Sequence, residues 1–112
     1  MKHFALFAVI AAVAAAFTAP AFGQGKAADG QAFYATQNCK MCHSVAAKGG
    51  KIALDNVGGK LKAEDIREWI VSPKTAAVKA KSTAKPPMIS YDKLAKTDVD
   101  NLVAYLQTLK QQ

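Results

Sequence analysis

The stretch Cys39-Lys40-Met41-Cys42-His43 decides how the rest of this chain is read. It is the C-x-x-C-H pattern that marks covalent attachment of a haem. Two thiols three positions apart on one helical turn can form thioether bonds to the two vinyl groups of one porphyrin. The histidine after the second cysteine is then placed to bind the iron through its imidazole. Competing readings of the two cysteines fail on ligand count and context. A structural zinc site takes four ligands, usually Cys or His, and beyond His3 the chain offers only Cys39, Cys42 and His43. A thioredoxin-like redox pair needs a βαβ setting, which is absent. A disulfide between Cys39 and Cys42 would close a loop too short to stabilise much and would leave His43 unexplained.

The start of the chain fits a protein that leaves the cytoplasm. Met1-Lys2-His3 is a short positive beginning, Phe4 to Phe17 is an apolar run, and Thr18 to Gly23 brings in Pro20 and small residues. This is the three-part layout of a secretory signal peptide. Ala21-Phe22-Gly23 directs cleavage after Gly23, and Ala19-Pro20-Ala21 allows it after Ala21. An uncleaved anchor is the alternative. The run is alanine-rich, however, and short of the roughly 20 strongly apolar residues that span a bilayer. Residues 1–23 are therefore read as the signal and 24–112 as the mature domain, periplasmic and without a membrane span.

The chain has 112 residues, with 15 Lys+Arg against 8 Asp+Glu and a net charge of +7. Residues 1–23 contain a single charge, Lys2, so the 89 residues that follow carry +6. A domain of that size sits where one hydrophobic core only just suffices, and small domains often add a disulfide, a metal or a cofactor. A multidomain enzyme, a polytopic membrane protein and a disordered polyelectrolyte are excluded.

Hydrophobic spacing predicts three helices and no strands. The first covers about Lys26–Gln37, with Gly30, Phe33 and Tyr34. The second covers about Lys62–Val71, where Ile66, Trp69 and Ile70 fall at helical spacing, Glu64 and Asp65 occupy the first turn, and Pro73 ends the run. The third covers about Asp98–Lys110, with Thr97 as N-cap, Asp100 three residues on, and a stripe of Val99, Leu102, Val103, Leu106 and Leu109. The two long connections between them are unexpected in so small a domain unless something fills the space they enclose. A large cofactor would.

A sixth iron ligand follows by elimination. His43 is the only histidine after the signal, and Met41 is tethered on the His43 side of the ring. Met88 remains, on a backbone stiffened by Pro86-Pro87. Simple core packing of Met88 is the alternative, with Lys85, Lys81 or an open site then completing the iron.

With these residues in place, residues 26–112 resemble a small soluble bacterial class I c-type cytochrome. The resemblance rests on the C-x-x-C-H motif, on Pro87-Met88, on Leu54-Asp-Asn-Val-Gly58 and on Ser90-Tyr91-Asp92-Lys93-Leu94. It implies an all-α fold in which three main helices and long loops wrap one covalently bound haem c. In this family the first and last helices cross at a glycine and aromatic residues, a role that fits Gly30, Phe33 and Tyr34 meeting Tyr105. The family usually has Gly-Pro before the loop leucine, the proline carbonyl accepting the haem histidine's Nδ1 proton. Lys51-Ile52 stand there instead, so the Ile52 carbonyl is the expected acceptor, without proline's rigidity. Trp69 resembles a family tryptophan that lines the haem or donates to a propionate; packing with Ile66 and Ile70 is its other reading.

Two functions are then open. A His/Met-ligated haem leaves no site for a substrate and makes an electron carrier rather than an enzyme, thioether ligation raising the reduction potential. A gas-binding or sensory five-coordinate haem domain needs polar groups on an open face, and the sequence offers only Arg67 there. Lys74, Lys79, Lys81 and Lys85 precede Met88, while Lys40, Lys48 and Lys51 lie near the motif. Such lysines would steer a monomer toward an acidic face on a redox partner, such as an oxidase, a reaction centre or a dehydrogenase. Nucleic acid is not an expected partner: the chain lacks basic–aromatic interleaving.

Overall fold

A computed structural model of the chain describes residues 25–111. The signal-peptide reading, with its boundary after Gly23, falls on residues outside them. Among the described residues there are five α-helices: α1 (Ala27–Thr36), α2 (Val57–Lys60), α3 (Ala63–Val71), α4 (Pro73–Lys79) and α5 (Lys96–Gln107). A 3-10 turn, Asn38–Met41, follows α1.

Helices α1 and α5 share the most extensive contact of any two elements, and Gly30 is the reason they can. A Cβ at Gly30 would overlap the Asn101 carbonyl and approach the Tyr105 Cβ at 2.8 Å. Beside this crossing the Tyr34 and Tyr105 rings sit with centroids 5.7 Å apart, tilted by 56°, a favoured aromatic geometry. The Lys26 N–H closes the contact on Asn101 Oδ1 at 2.8 Å. We expect Gly30→Ala to destabilise the protein by roughly 2 kcal/mol, the scale of an overpacked core, despite alanine's better helix propensity. Thermal unfolding reads this directly, and an unchanged midpoint would show that the helices can part at no cost.

Helix α3 starts where the acidic first turn places it, the Asp65 carboxylate accepting the Lys62 N–H at 3.3 Å. It ends at Val71, as Pro73 requires. The proline does more than terminate, however, because it opens α4 at the first helical position, where its fixed φ fits and its missing N–H costs nothing. Lys79 on α4 reaches back to Glu68 on α3 at 2.7 and 2.9 Å.

Helix α5 differs from expectation at its start. It begins at Lys96 with Ala95 as N-cap, so Thr97 is not the cap. Asp100, expected to answer Thr97, is engaged elsewhere: it accepts from Lys96 Nζ at 2.6 Å and from the Arg67 guanidinium on α3. Those bonds, the Lys96 one first, hold the Asp100 carboxyl below the usual carboxylate range. A depressed pKa contributes stability above the unfolded value near 3.9, lost as pH falls through the folded value. Acid titration of Asp100→Asn should therefore show less loss of stability below about pH 4 than the unaltered protein; equal acid sensitivity would remove Asp100 from the account.

A small sheet, absent from the sequence reading, occupies the first connection. Its strands are β1 (His43–Val45), β2 (Lys48–Gly49) and β3 (Ile52–Ala53), in the order β2-β1-β3, antiparallel to β2 and parallel to β3. Two or three residues per strand are too few to show a period of two. The core lies between α1, α3 and α5 and holds Tyr34, Ile66, Ile70, Val99, Leu102, Val103, Tyr105 and Leu106. The fold is otherwise helical, as expected. Among the described residues no helix is long and apolar enough to cross a membrane.

Candidate functional site

The motif sits on the 3-10 turn that continues α1. The Cys42 N–H bonds the Cys39 carbonyl at 3.2 Å, closing the turn that brings the two thiols to one side. Both are free thiols, Cys39 half-buried and Cys42 exposed. Burial pushes the Cys39 thiol up, with a backbone hydrogen bond opposing it. At neutral pH that thiol is protonated and slow to react by itself.

His43 opens β1, and the sheet explains its orientation. Ile52 lies opposite it in the parallel register, and the Ile52 N–H bonds the Cys42 carbonyl at 2.8 Å. The Ile52 carbonyl lies 3.3 Å from His43 Nδ1. One residue of β3 thus grips the motif twice, and strand pairing supplies the rigidity that proline would have given. On the other side of β1 the Gly50 N–H bonds the His43 carbonyl at 2.9 Å. Gly49 reaches that turn only with φ at +122°, where a side chain is strained. With Nδ1 donating to Ile52, Nε2 keeps its lone pair for a metal. Burial lowers the His43 pKa, the Ile52 contact partly opposing, so the imidazole is neutral, the form that ligates.

Beside the motif lies a cavity of about 510 Å³, within the roughly 300–1,000 Å³ typical of ligand sites. Cys39, Cys42 and His43 line it together with Ile52, Trp69 and Met88. All six residues singled out in the sequence therefore meet around one space. Trp69 is half-buried and faces the cavity, as do its helical neighbours Ile66 and Ile70, which also belong to the core. Met88 is half-buried on the loop between α4 and α5. That loop is fastened to the end of α3 just after Met88: Ser90 Oγ donates to the Val71 carbonyl and the Tyr91 N–H to the Ile70 carbonyl, both at 2.9 Å.

The residues fit a large, mostly apolar, covalently held cofactor better than a bare metal ion. Among the described residues, no group of three or more His, Cys, Asp or Glu side chains converges as an ion site. The walls are mainly aliphatic and aromatic, and two thiols and one neutral imidazole project from one short segment. Among the wall residues that the sequence reading did not assign to the site is Tyr34, whose Oη is buried without a partner among the described residues. Its ring reads as part of the helix crossing, and nothing in the spacing separates that role from the hydroxyl's position.

Crossed terminal helices around an apolar cavity, with a C-x-x-C-H segment in its wall, define a protein that carries a covalently attached haem. The chain belongs to the cytochrome c family: the family model described as Cytochrome c matches residues 27–110. Neither the comparison with curated proteins nor that with solved structures returned a match. The protein is a haem-binding electron-transfer protein whose cofactor is haem c with its iron, Cys39 and Cys42 fitting the attachment motif.

Proposed function

We propose that this protein is a one-electron carrier whose haem iron is held between His43 and Met88. The observation that supports it most is that Met88 and His43 line one cavity, Nδ1 of His43 being occupied by Ile52. When bound, the haem supplies an iron couple that takes up or gives one electron. Cys39 and Cys42 hold it through thioethers, His43 gives the nitrogen ligand and Met88 the soft sulfur that favours ferrous iron. Ser90 and Tyr91 keep Met88 in place through their bonds to α3. A ferric optical spectrum tests the ligand pair: a thioether-to-iron band at the red edge supports it, and a high-spin spectrum without that band overturns it.

A five-coordinate gas-binding domain is the weaker reading, because its expected polar donor is already engaged. Arg67 is paired with Asp100 and does not line the cavity. As an electron carrier the protein would act in the periplasm after loss of residues 1–23, as a monomer.

Acidic-faced redox proteins, such as an oxidase, a reaction centre or a dehydrogenase, are the proposed partners. Lys74 lines the cavity, and Lys81 and Lys85 are exposed on the way to Met88. Lys79 is tied to Glu68, so its charge is offset and the steering group is smaller than the sequence count implies. Met41, 77% exposed, and Ile52, 47% exposed, form an apolar part of the same rim. Partner association should slow steeply with added salt, since the Debye length falls from about 30 Å at 0.01 M to about 10 Å at 0.1 M. Stopped-flow mixing checks this; a bimolecular rate independent of salt would leave these lysines as solubility surface.

A further inference from the structure

The connection between β1 and β2 is shaped against the preference of its own residues. Val45 pairs with Lys48, so the hairpin turns on Ala46 and Ala47. Both have positive φ, 52° and 63°, the conformation in which a two-residue turn matches the twist of its strands. Glycine and asparagine adopt it readily. An alanine held there weakens the folding equilibrium by roughly 5- to 30-fold. Two in succession stay there only because their surroundings hold them. The turn directly follows β1, the strand that His43 opens.

Asp55 supplies the hold. Along β1 the ladder to the neighbouring segment runs through alternate residues. The Cys42 carbonyl accepts the Ile52 N–H and the Ser44 carbonyl accepts the Leu54 N–H, both at 2.8 Å. At Ala46, the next alternate residue, the bond is made by a side chain: Asp55 Oδ1 accepts the Ala46 N–H at 2.7 Å. Asp55 is half-buried and sits where the chain has left β3 on its way to α2. Its carboxylate therefore extends the ladder by one bond beyond the point where the backbone turns away, and does so at the first left-handed alanine. Asp55 does not line the haem cavity, so it can act on the site only through the sheet or through its charge.

We propose that Asp55 is a positioning residue for His43: its carboxylate holds the left-handed Ala46–Ala47 turn, and the turn keeps β1 in register with Ile52. This rests on His43 ligating the haem iron. Without the Asp55 bond the two alanines relax toward ordinary backbone and β1 loosens from its far end. The Ile52 carbonyl then no longer faces Nδ1 at a fixed distance. A carbonyl that accepts from Nδ1–H makes the imidazole a stronger donor to the metal, and a stronger donor favours ferric iron. Loosening the sheet therefore favours the ferrous form.

The test follows the holoprotein by redox titration and by hydrogen exchange of the Ile52 amide in the reduced state. Asp55→Ala should raise the ferrous-to-ferric ratio at a fixed poise by at least about twofold and speed Ile52 exchange roughly fivefold, the range of one net hydrogen bond. Asp55→Asn keeps an oxygen acceptor and loses the charge, so it should leave both readouts near the unaltered values. An equal shift in Asp55→Asn assigns the effect to charge and overturns the proposal. In an Ala46→Asn, Ala47→Gly background the turn is favoured by its own residues, and Asp55→Ala should have far less effect there. Equal shifts in both backgrounds, or an unmoved or lowered ratio, overturn it. Should Asp55→Ala alone yield no holoprotein, the triple variant must restore it, and failure to do so is equally fatal. Proton resonances of the His43 ring in the reduced, unaltered protein separate the two levels of failure. With those protons displaced upfield by the porphyrin ring current, a silent Asp55→Ala sinks only this proposal; undisplaced, they sink His43 ligation as well.

Discussion

A Cys39→Ala, Cys42→Ala double variant freed of haem is expected to lose its cooperative unfolding transition and most of its helical circular-dichroism signal. The core has eight fully packed members, and five of them, Tyr34, Ile66, Ile70, Leu102 and Leu106, also face the haem cavity. Haem is thus the other half of the surface on which α3 and α5 pack. A dry cavity of about 510 Å³, at about 24 cal/mol per Å³, costs on the order of 10 kcal/mol. That matches the whole stability of a small domain, about 5–15 kcal/mol. Letting water in instead wets the aliphatic walls, which forfeits the burial that drives folding. Cofactor binding energy is then largely folding energy, as it is for structural metals. Native-like helical content with a cooperative melt in the haem-free variant would show that the α1–α5 crossing and the α3 contacts suffice alone.

What the sequence disclosed and what it hid divide along the range of the interactions involved. Helices α1 and α3 were legible because local spacing and first-turn carboxylates specify them. The attachment motif was legible because its spacing is dictated by the geometry of two bonds to one ring. Met88 came forward by elimination in a chain poor in alternative ligands, and the structure puts it on the cavity wall beside the motif. The start of α5 was misplaced because Asp100, a good partner for a cap at Thr97, is claimed by Arg67 from another helix. The sheet was invisible because its strands are too short for a pattern and are made by pairing across loops, such as Leu54 N–H to the Ser44 carbonyl at 2.8 Å. Tyr34 was placed correctly at the crossing with Tyr105, but its hydroxyl could be located only once the cavity was seen.

Met88→Ala is expected to lower the reduction potential and open the iron to external ligands. Met88 lines the cavity with its loop pinned to α3 two and three residues later, so the thioether reaches its place with little freedom left to lose. Truncation removes the proposed ligand without touching the Ser90 and Tyr91 anchors. Water then takes the position, or Lys81 or Lys85, both exposed on the same loop, swings in. Either replacement is harder than sulfur and favours ferric iron, so the ferrous form loses stability relative to it. Every about 59 mV of the fall is a factor of ten in a one-electron equilibrium. Two tests separate the replacements from each other and from an unchanged site. Carbon monoxide should bind the reduced variant readily and the unaltered protein poorly. A lysine ligand would make the variant's ferric spectrum depend on pH, and removing Lys81 and Lys85 together would abolish that dependence. If the unaltered reduced protein binds carbon monoxide fast, or the variant keeps the original potential and ferric spectrum, then Met88 is a wall residue only. The gas-binding reading would then gain the open coordination position it needs, although Arg67, held by Asp100, would still be unable to serve it.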